Sequence, residues 1–244
     1  MMDYKDYAGG ATKTNHFWFK SRINFLSWLL EKALTQKAQG RRLKILNIGA
    51  GVGDDLEMFH KFGDIYALDL DQKTLDLVPE HLVKEKICAD ACAIPYQDCF
   101  FDAVVAFDIF EHIPDDKKAV AEVRRVLKKD GVLVFTVPAI PWLFGAHDRM
   151  LGHERRYNKL RVTRLFREFK QEKLGSWFFA LFFPAAIQRI LTKKSQKYDL
   201  HQHKIPAVIH SFLYHLVMVE NWLIKKGIPM PLGLTIYGIY RKNN

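Results

Sequence analysis

The chain has 244 residues, 49% apolar and 26% charged, with 37 Lys+Arg against 27 Asp+Glu and a pI of about 9.4. That length fits one domain with an elaborated lid, and the basic excess favours anionic partners (nucleic acid, phosphate-bearing molecules or an anionic membrane surface) over a plainly solvated basic face only evenly. Three cysteines fit neither a disulfide framework nor zinc spacing, no apolar leader opens the chain, and no charge-free run of about 18 apolar residues is present, so a cytoplasmic protein with neither secretory signal nor membrane span is expected.

In chain order, residues 1–15 read as a polar arm. Phe19, Ile23, Leu26, Leu30 and Leu34 then recur at helical spacing, and this helix precedes the first strand. Its Arg22 and Lys20 are placed to reach a carboxylate or phosphate. Leu43–Ile48 is an aliphatic strand, followed by Gly-Ala-Gly-Val-Gly and a helix expected over Asp54–Phe62 with Gly63 as its cap. Strands are expected at Ile65–Leu70, Lys86–Ala89, Phe101–Phe107 and Val132–Val137, with helices at Gln72–Val78 and Asp115–Lys129. Strands alternating with helices mean a doubly wound, mostly parallel sheet.

Beyond Pro138 the character changes. Residues 139–158 read as an irregular loop rich in His, Arg and aromatics, and Lys159–Glu168 as a basic helix. Residues 173–190 are strongly apolar and read as broken by Pro184, and Pro206–Lys226 as a long helix. Leu234–Arg241 is a terminal strand, expected antiparallel at the sheet edge because nothing follows it to make a crossover.

The organising stretch is Leu43–Asp71. Gly49, Gly51 and Gly53 allow a tight turn and close approach of backbone to a ligand. Asp69 ends the second strand, where open α/β sheets bind ligands. The spacing suits an adenosine-containing cofactor, and two compete. A dinucleotide site uses G-x-G-x-x-G, whereas here the run is G-x-G-x-G followed by Asp54-Asp55, a carboxylate pair that repels a diphosphate. S-adenosylmethionine (SAM) carries a sulfonium and an ammonium and no phosphate, and a carboxylate-rich pocket suits it.

With these blocks in view, the sequence resembles the class I SAM-dependent methyltransferases. The resemblance is carried by ILNIGAGVG, YALDLD, ADACAIPY, FDAVVAFDIFEHI and EVRRVLKKDGVLVFTVP, in that order, and covers residues 43–138. The flanking HFWFKSR and GHERRYN segments look like a branch associated with surface-glycan or lipid modification. The resemblance implies one methyltransferase domain: an N-terminal arm and helix (1–40), a SAM-binding core (41–138), lid and substrate insertions around a sheet strand (139–232) and a terminal strand (233–244). Its sheet would have seven strands, mostly parallel with an antiparallel terminal strand, under an N-terminal helix and a helical lid. SAM would be the cofactor and S-adenosylhomocysteine (SAH) the product. Gly49, Ala50, Gly51 and Gly53 would meet the methionine and ribose portion, Asp69 the ribose, Leu70 the adenine face, Asp90 and Ala91 the adenine edge, and Phe107 and Asp108 the methionyl end. Asn47 stands where the family usually has an acid.

Methyl transfer from a sulfonium is an in-line displacement, so the protein mainly supplies alignment. An oxygen acceptor also needs a base, and His153 and His112 are the candidates, with His147 ranked behind them. Arg22, His147, Arg155, Arg156 and Tyr157 are the candidate acceptor contacts, since Arg makes bidentate bonds to phosphate or carboxylate. His201 and His203 form H-x-H without a third ligand, so no metal is expected. The acceptor expected is small, hydrophobic or anionic, with a lipid- or glycan-linked molecule among the candidates, and the apolar run 177–187 reads either as core or, with the basic residues that follow, as a peripheral membrane contact. A nucleic-acid methyltransferase is less favoured, because no base-methylation motif is visible, and a non-catalytic SAM-binding or membrane-peripheral protein is the remaining class. No oligomeric state follows from the residues.

Overall fold

The structure, a computed structural model, describes residues 16–192 and 206–243, without the side chains of residues 190 and 192. Seven strands form one sheet in the order β3-β2-β1-β4-β5-β7-β6. They are β1 (Leu43–Ile48), β2 (Gly63–Asp69), β3 (Glu85–Cys88), β4 (Phe101–Phe107), β5 (Leu127–Pro138), β6 (Phe169–Trp177) and β7 (Thr235–Lys242). Strands β1 to β5 pair parallel, while β7 runs antiparallel to both β5 and β6. The expected parallel sheet with an antiparallel last strand is therefore present. One placement differs: β7 lies inside the sheet and β6 takes the edge. Strand β6 is the sheet strand expected within residues 139–232, and it starts at Phe169, before the apolar run that opens at Lys173.

Helix α1 (Phe17–Ala38) buries Phe25, Leu26, Leu29, Leu30, Ala33 and Leu34 against one face of the sheet. Helix α2 is only Glu57–His60, α3 is Gln72–Asp76, and α4 is Asp116–Val126. The helix expected over Asp54–Phe62 is thus one turn, and Gly63 starts β2 rather than capping it. Gly63 is required there: a Cβ would stand 2.0 Å from the Leu43 carbonyl oxygen. Similarly α4 stops at Val126, because Leu127 turns extended (φ −69°, ψ 137°) and begins β5. Gly131 and Asp130 (φ 57°) lie inside that strand's first half, beyond the end expected for the helix at Lys129.

After β5 come α5 (Ala146–Met150) and α6 (Lys159–Leu165), then β6, α7 (Phe182–Thr192) and α8 (Ala207–Lys225). Pro184 sits in the first turn of α7, where its missing N–H costs nothing, so it starts that helix instead of breaking it. Helix α8 packs beside α1. Asn221 of α8 accepts a hydrogen bond from Trp177 Nε1 (2.8 Å) and donates to the Ser21 carbonyl (3.0 Å). Glu220 accepts from the backbone N–H groups of Phe179 and Ala180, both at 2.9 Å. These buried polar contacts lock α8 to the fold. By length and composition α8 is the one helix among the described residues apolar enough to cross a membrane, and 22% of that stretch is buried.

Candidate active site

The strand order reverses between β1 and β4, so their carboxyl ends open a crevice between them. Three segments meet there: the glycine turn after β1, the end of β2, and the turn after β4.

The glycine turn is shaped by its backbone. Gly49 has φ 74°, and a Cβ on it would collide with Ile109 at 2.7 Å. Gly51 has φ 52°, yet a Cβ there would meet nothing within 4 Å. One glycine is needed for packing on the β4 turn, and the other faces open space. Asp69 fixes the turn from the side: its carboxylate accepts from Gly51 N–H (2.8 Å) and Asp71 N–H (3.1 Å). Leu70, next along, is 71% exposed, a bare apolar surface at the mouth. Asp90 turns its own loop by accepting from Cys92 N–H (2.8 Å), with Ala91 buried beneath.

Arg22 enters from α1. Its guanidinium holds both oxygens of Asp55 (2.5 and 2.6 Å) and reaches Asp108 at 3.3 Å. Burial works against the charge, but the two carboxylates outweigh it and hold the Arg22 proton more firmly than usual. The rings of Trp18 and Phe107 lie 5.5 and 5.8 Å from the guanidinium. Asp55 is therefore compensated from within, which removes part of the repulsion on which the case against a diphosphate rested. The geometry restores that case differently, because α2 is a single turn and offers no helix dipole. Asn47 also finds a role. It is buried, and its Nδ2 donates to the Val105 carbonyl across the β1–β4 pair at 3.3 Å, which an aspartate cannot do.

The turn after β4 carries the titratable groups. Asp108 has φ 51°, an uncommon conformation for a residue with a side chain, held by its N–H on Thr136. Glu111 is 1% exposed, and its Oε2 has no hydrogen-bond partner. Burial pushes its carboxyl well above the usual range, reinforced by Asp108. His112 and His153 meet edge to face, ring centres 4.6 Å apart. Burial, then the neighbouring His153, lowers the His112 pKa.

His153 is oriented by Asp148. Its Nδ1 lies 3.1 Å from Asp148 Oδ1, and because a carboxylate only accepts, Nδ1 carries the proton and Nε2 is the lone-pair nitrogen. Asp148 is fully buried and also accepts from Gly145 N–H, Arg156 and Arg189. His147, its chain neighbour, has its pKa pulled down to about 4 by burial and by Arg189.

The expected acceptor contacts are placed differently. Tyr157 is fully buried and donates to the Phe110 carbonyl or Asp116, both at 3.0 Å. Arg156 is buried on Asp148 (2.7 Å) and the Ala139 carbonyl (3.0 Å). Arg155 binds the carbonyls of Ile113 and Pro114, each at 2.7 Å. Arg155 and Tyr157 tie the lid to the β4 turn, Arg156 ties it to the end of β5, and Arg156 and Tyr157 are buried with no surface for an acceptor. Reasoning from charge and residue type took them for ligand contacts because paired Arg and Tyr look alike in either role. Asp148 orients His153 and not its chain neighbour, and Glu111 is buried beside it, neither of which a lone acid signals in sequence.

A glycine turn with open space over Gly51, an acid at the end of β2 and a ligand crevice at the β1/β4 switch define a class I SAM-dependent methyltransferase fold. Residues 46–135 match the family model of a methyltransferase domain. Among its relatives, a Methanocaldococcus jannaschii protein without assigned function is 36% identical over 94 residues, 38% of this chain and 40% of that protein. The demethylmenaquinone methyltransferase of Thermotoga maritima is 33% identical over 95 residues, 37% of this chain and 42% of its own length. The chain thus spans about half or less of these relatives. Among solved structures, a Pyrococcus horikoshii protein superposes with TM-score 0.60 at 17% identity, over 98% of this chain and 99% of its own. The SAM complex of Haemonchus contortus phosphoethanolamine N-methyltransferase 2 does so with TM-score 0.56 at 15% identity, covering all of this chain and 61% of that one. SAM as the methyl donor accords with the matched family model.

Proposed function

We propose that the protein transfers a methyl group from SAM to a small acceptor, hydrophobic or anionic and carried on a lipid, at oxygen. The observation that carries the reading is the pairing of an open cradle over Gly51 and Asp69 with a histidine, His153, oriented by a buried carboxylate in the turn next to it. SAM, when bound, supplies an electrophilic methyl on a sulfonium. The rest falls to this chain. Asp69 takes the ribose hydroxyls, and Leu70 lies along the adenine. Arg22, held between Asp55 and Asp108, offers its cation to the methionyl carboxylate. His153 takes the acceptor's proton at Nε2 while Asp148 retains Nδ1–H. Its relatives are named for N-, O- and C-methylation, including sarcosine/dimethylglycine, ubiquinone and phosphoethanolamine enzymes, which supports a small acceptor without choosing the atom.

The lipid element of the proposal rests on α8. Val208, Ile209, Phe212, Leu216, Val219 and Trp222 form one exposed apolar stripe along it. On α7, Phe183, Ile187 and Leu191 are exposed as well. The linking residues 193–205 contain four lysines and one aspartate. Apolar faces bracketing a basic segment suit the surface of an anionic bilayer. The test is transfer of tritiated methyl from SAM to lipid, small-molecule and RNA extracts. Label in the lipid fraction supports the reading; label confined to RNA rejects the acceptor class.

A further inference from the structure

Glu111, His112 and His153 offer one ligand atom each, all within 4.8 Å of one another. We propose that they form a binding site for a divalent transition-metal cation at the end of β4. The proposal rests on the methyl-transfer reading only for the site's use, not for its existence.

Three features support it. First, Glu111 Oε2 is an acceptor sealed from water without a donor, in a side chain 1% exposed. An orphaned carboxylate oxygen is costly unless a cation satisfies it. Second, both imidazoles are held from behind. His153 gives Nδ1–H to Asp148, and His112 hydrogen-bonds the Gly152 backbone. Metal-ligating histidines are oriented by such outer acceptors, which leave the second nitrogen for the ion. Third, Asp148 is itself locked by Arg156 and the Gly145 N–H, so the support is rigid.

Two imidazoles and one carboxylate are a donor set for Zn2+ and its neighbours, with a further position open to an oxygen ligand. Bonds of about 2.0–2.2 Å bring ligand atoms to roughly 3.4 Å apart, so side-chain shifts of about 1 Å close the site. An acceptor hydroxyl in the open position would be oriented and made more acidic, with His153 serving as ligand instead of base in the loaded protein. The sequence concealed the set because its members lie forty residues apart in two segments, while the visible H-x-H pair lies elsewhere.

The test is calorimetric titration of the chelator-stripped full chain with Zn2+, alongside the absorption spectrum of the Co2+-loaded protein. The expected result is one saturable site, with Glu111→Gln and His153→Ala each weakening it about tenfold or more. The His201→Ala/His203→Ala variant should bind as the parent does. SAH binding by Glu111→Gln reports that the fold persists. No saturable Zn2+ site, or one abolished by the His201/His203 change and indifferent to Glu111 and His153, would overturn the proposal. Zn2+ bound at the cluster in a chain that fails to bind SAH would uphold the site and reject the methyltransferase reading.

Discussion

Arg22 of α1 and Asp55 of the glycine turn are joined by two hydrogen bonds, 2.5 and 2.6 Å, in a pair largely sealed from solvent. The N-terminal helix thereby pins the glycine turn over which SAM is proposed to lie. Removing one partner of such a pair leaves the other charge uncompensated. Arg22→Met should lower stability by about 2–3 kcal/mol and weaken SAH binding about tenfold or more. Arg22→Lys should restore part of the stability but not the second bond, from Nη2 to Asp108. Denaturant melts and calorimetry separate the two effects; unchanged SAH affinity in both variants would remove Arg22 from the site.

Gly49 and Gly51 should respond differently to alanine. At Gly49 the added methyl strikes Ile109 at 2.7 Å, so Gly49→Ala should cost about 2–4 kcal/mol of stability. At Gly51 nothing stands within 4 Å, so only the left-handed backbone resists, at about 1 kcal/mol. Gly51→Ala should therefore fold and yet bind SAH poorly. A Gly51→Ala protein with full affinity would show that the cradle is elsewhere.

Asp102 at the start of β4 predicts a pH dependence. Burial raises its pKa, but hydrogen bonds from Arg41, the Lys44 N–H and Lys128 outweigh this and leave it below the ordinary value. A depressed folded-state pKa gives stability that is present above the unfolded pKa and lost as pH falls through the folded one. Asp102→Asn should cost about 1–3 kcal/mol at neutral pH, with the gap to the parent closing below about pH 4. Parallel melts over that range check it; a gap independent of pH would contradict the assignment.

The exposed stripe on α8 predicts contact with lipid. The parent should float with vesicles containing anionic lipid, less at high salt, while Phe212→Glu with Val219→Glu should stay in solution. Both positions face outward, so the double variant should melt with the parent. Equal flotation of parent and variant would leave the lipid-linked acceptor without its surface.

The core elements were legible because each carries its own signal. Phe101–Phe107 is bounded by polar turns, and its strand coincides with the expected one residue for residue. The glycine turn and Asp69 were placed by spacing alone. Less legible were features set by distant partners. The edge place of β6 beside β7 has Gly175 under Tyr237, where a Cβ would lie 2.3 Å from the ring, a relation that spans about sixty residues. The same holds in the site. Arg156 and Tyr157 read as ligand contacts until Asp148 and Asp116 were seen to occupy them, and Glu111 gained meaning only when His153 arrived from the lid. Local pattern reports periodicity and turn chemistry; it does not report which buried charge meets which.

The proposed reaction depends on SAM binding in the crevice between β1 and β4 through the glycine turn and Asp69. Its most direct test is calorimetric titration of SAH into the full chain and into Asp69→Ala. Saturable binding at one site, lost in Asp69→Ala while the fold survives, is the predicted result. Absence of binding in the parent, or equal affinity in the variant, would contradict it.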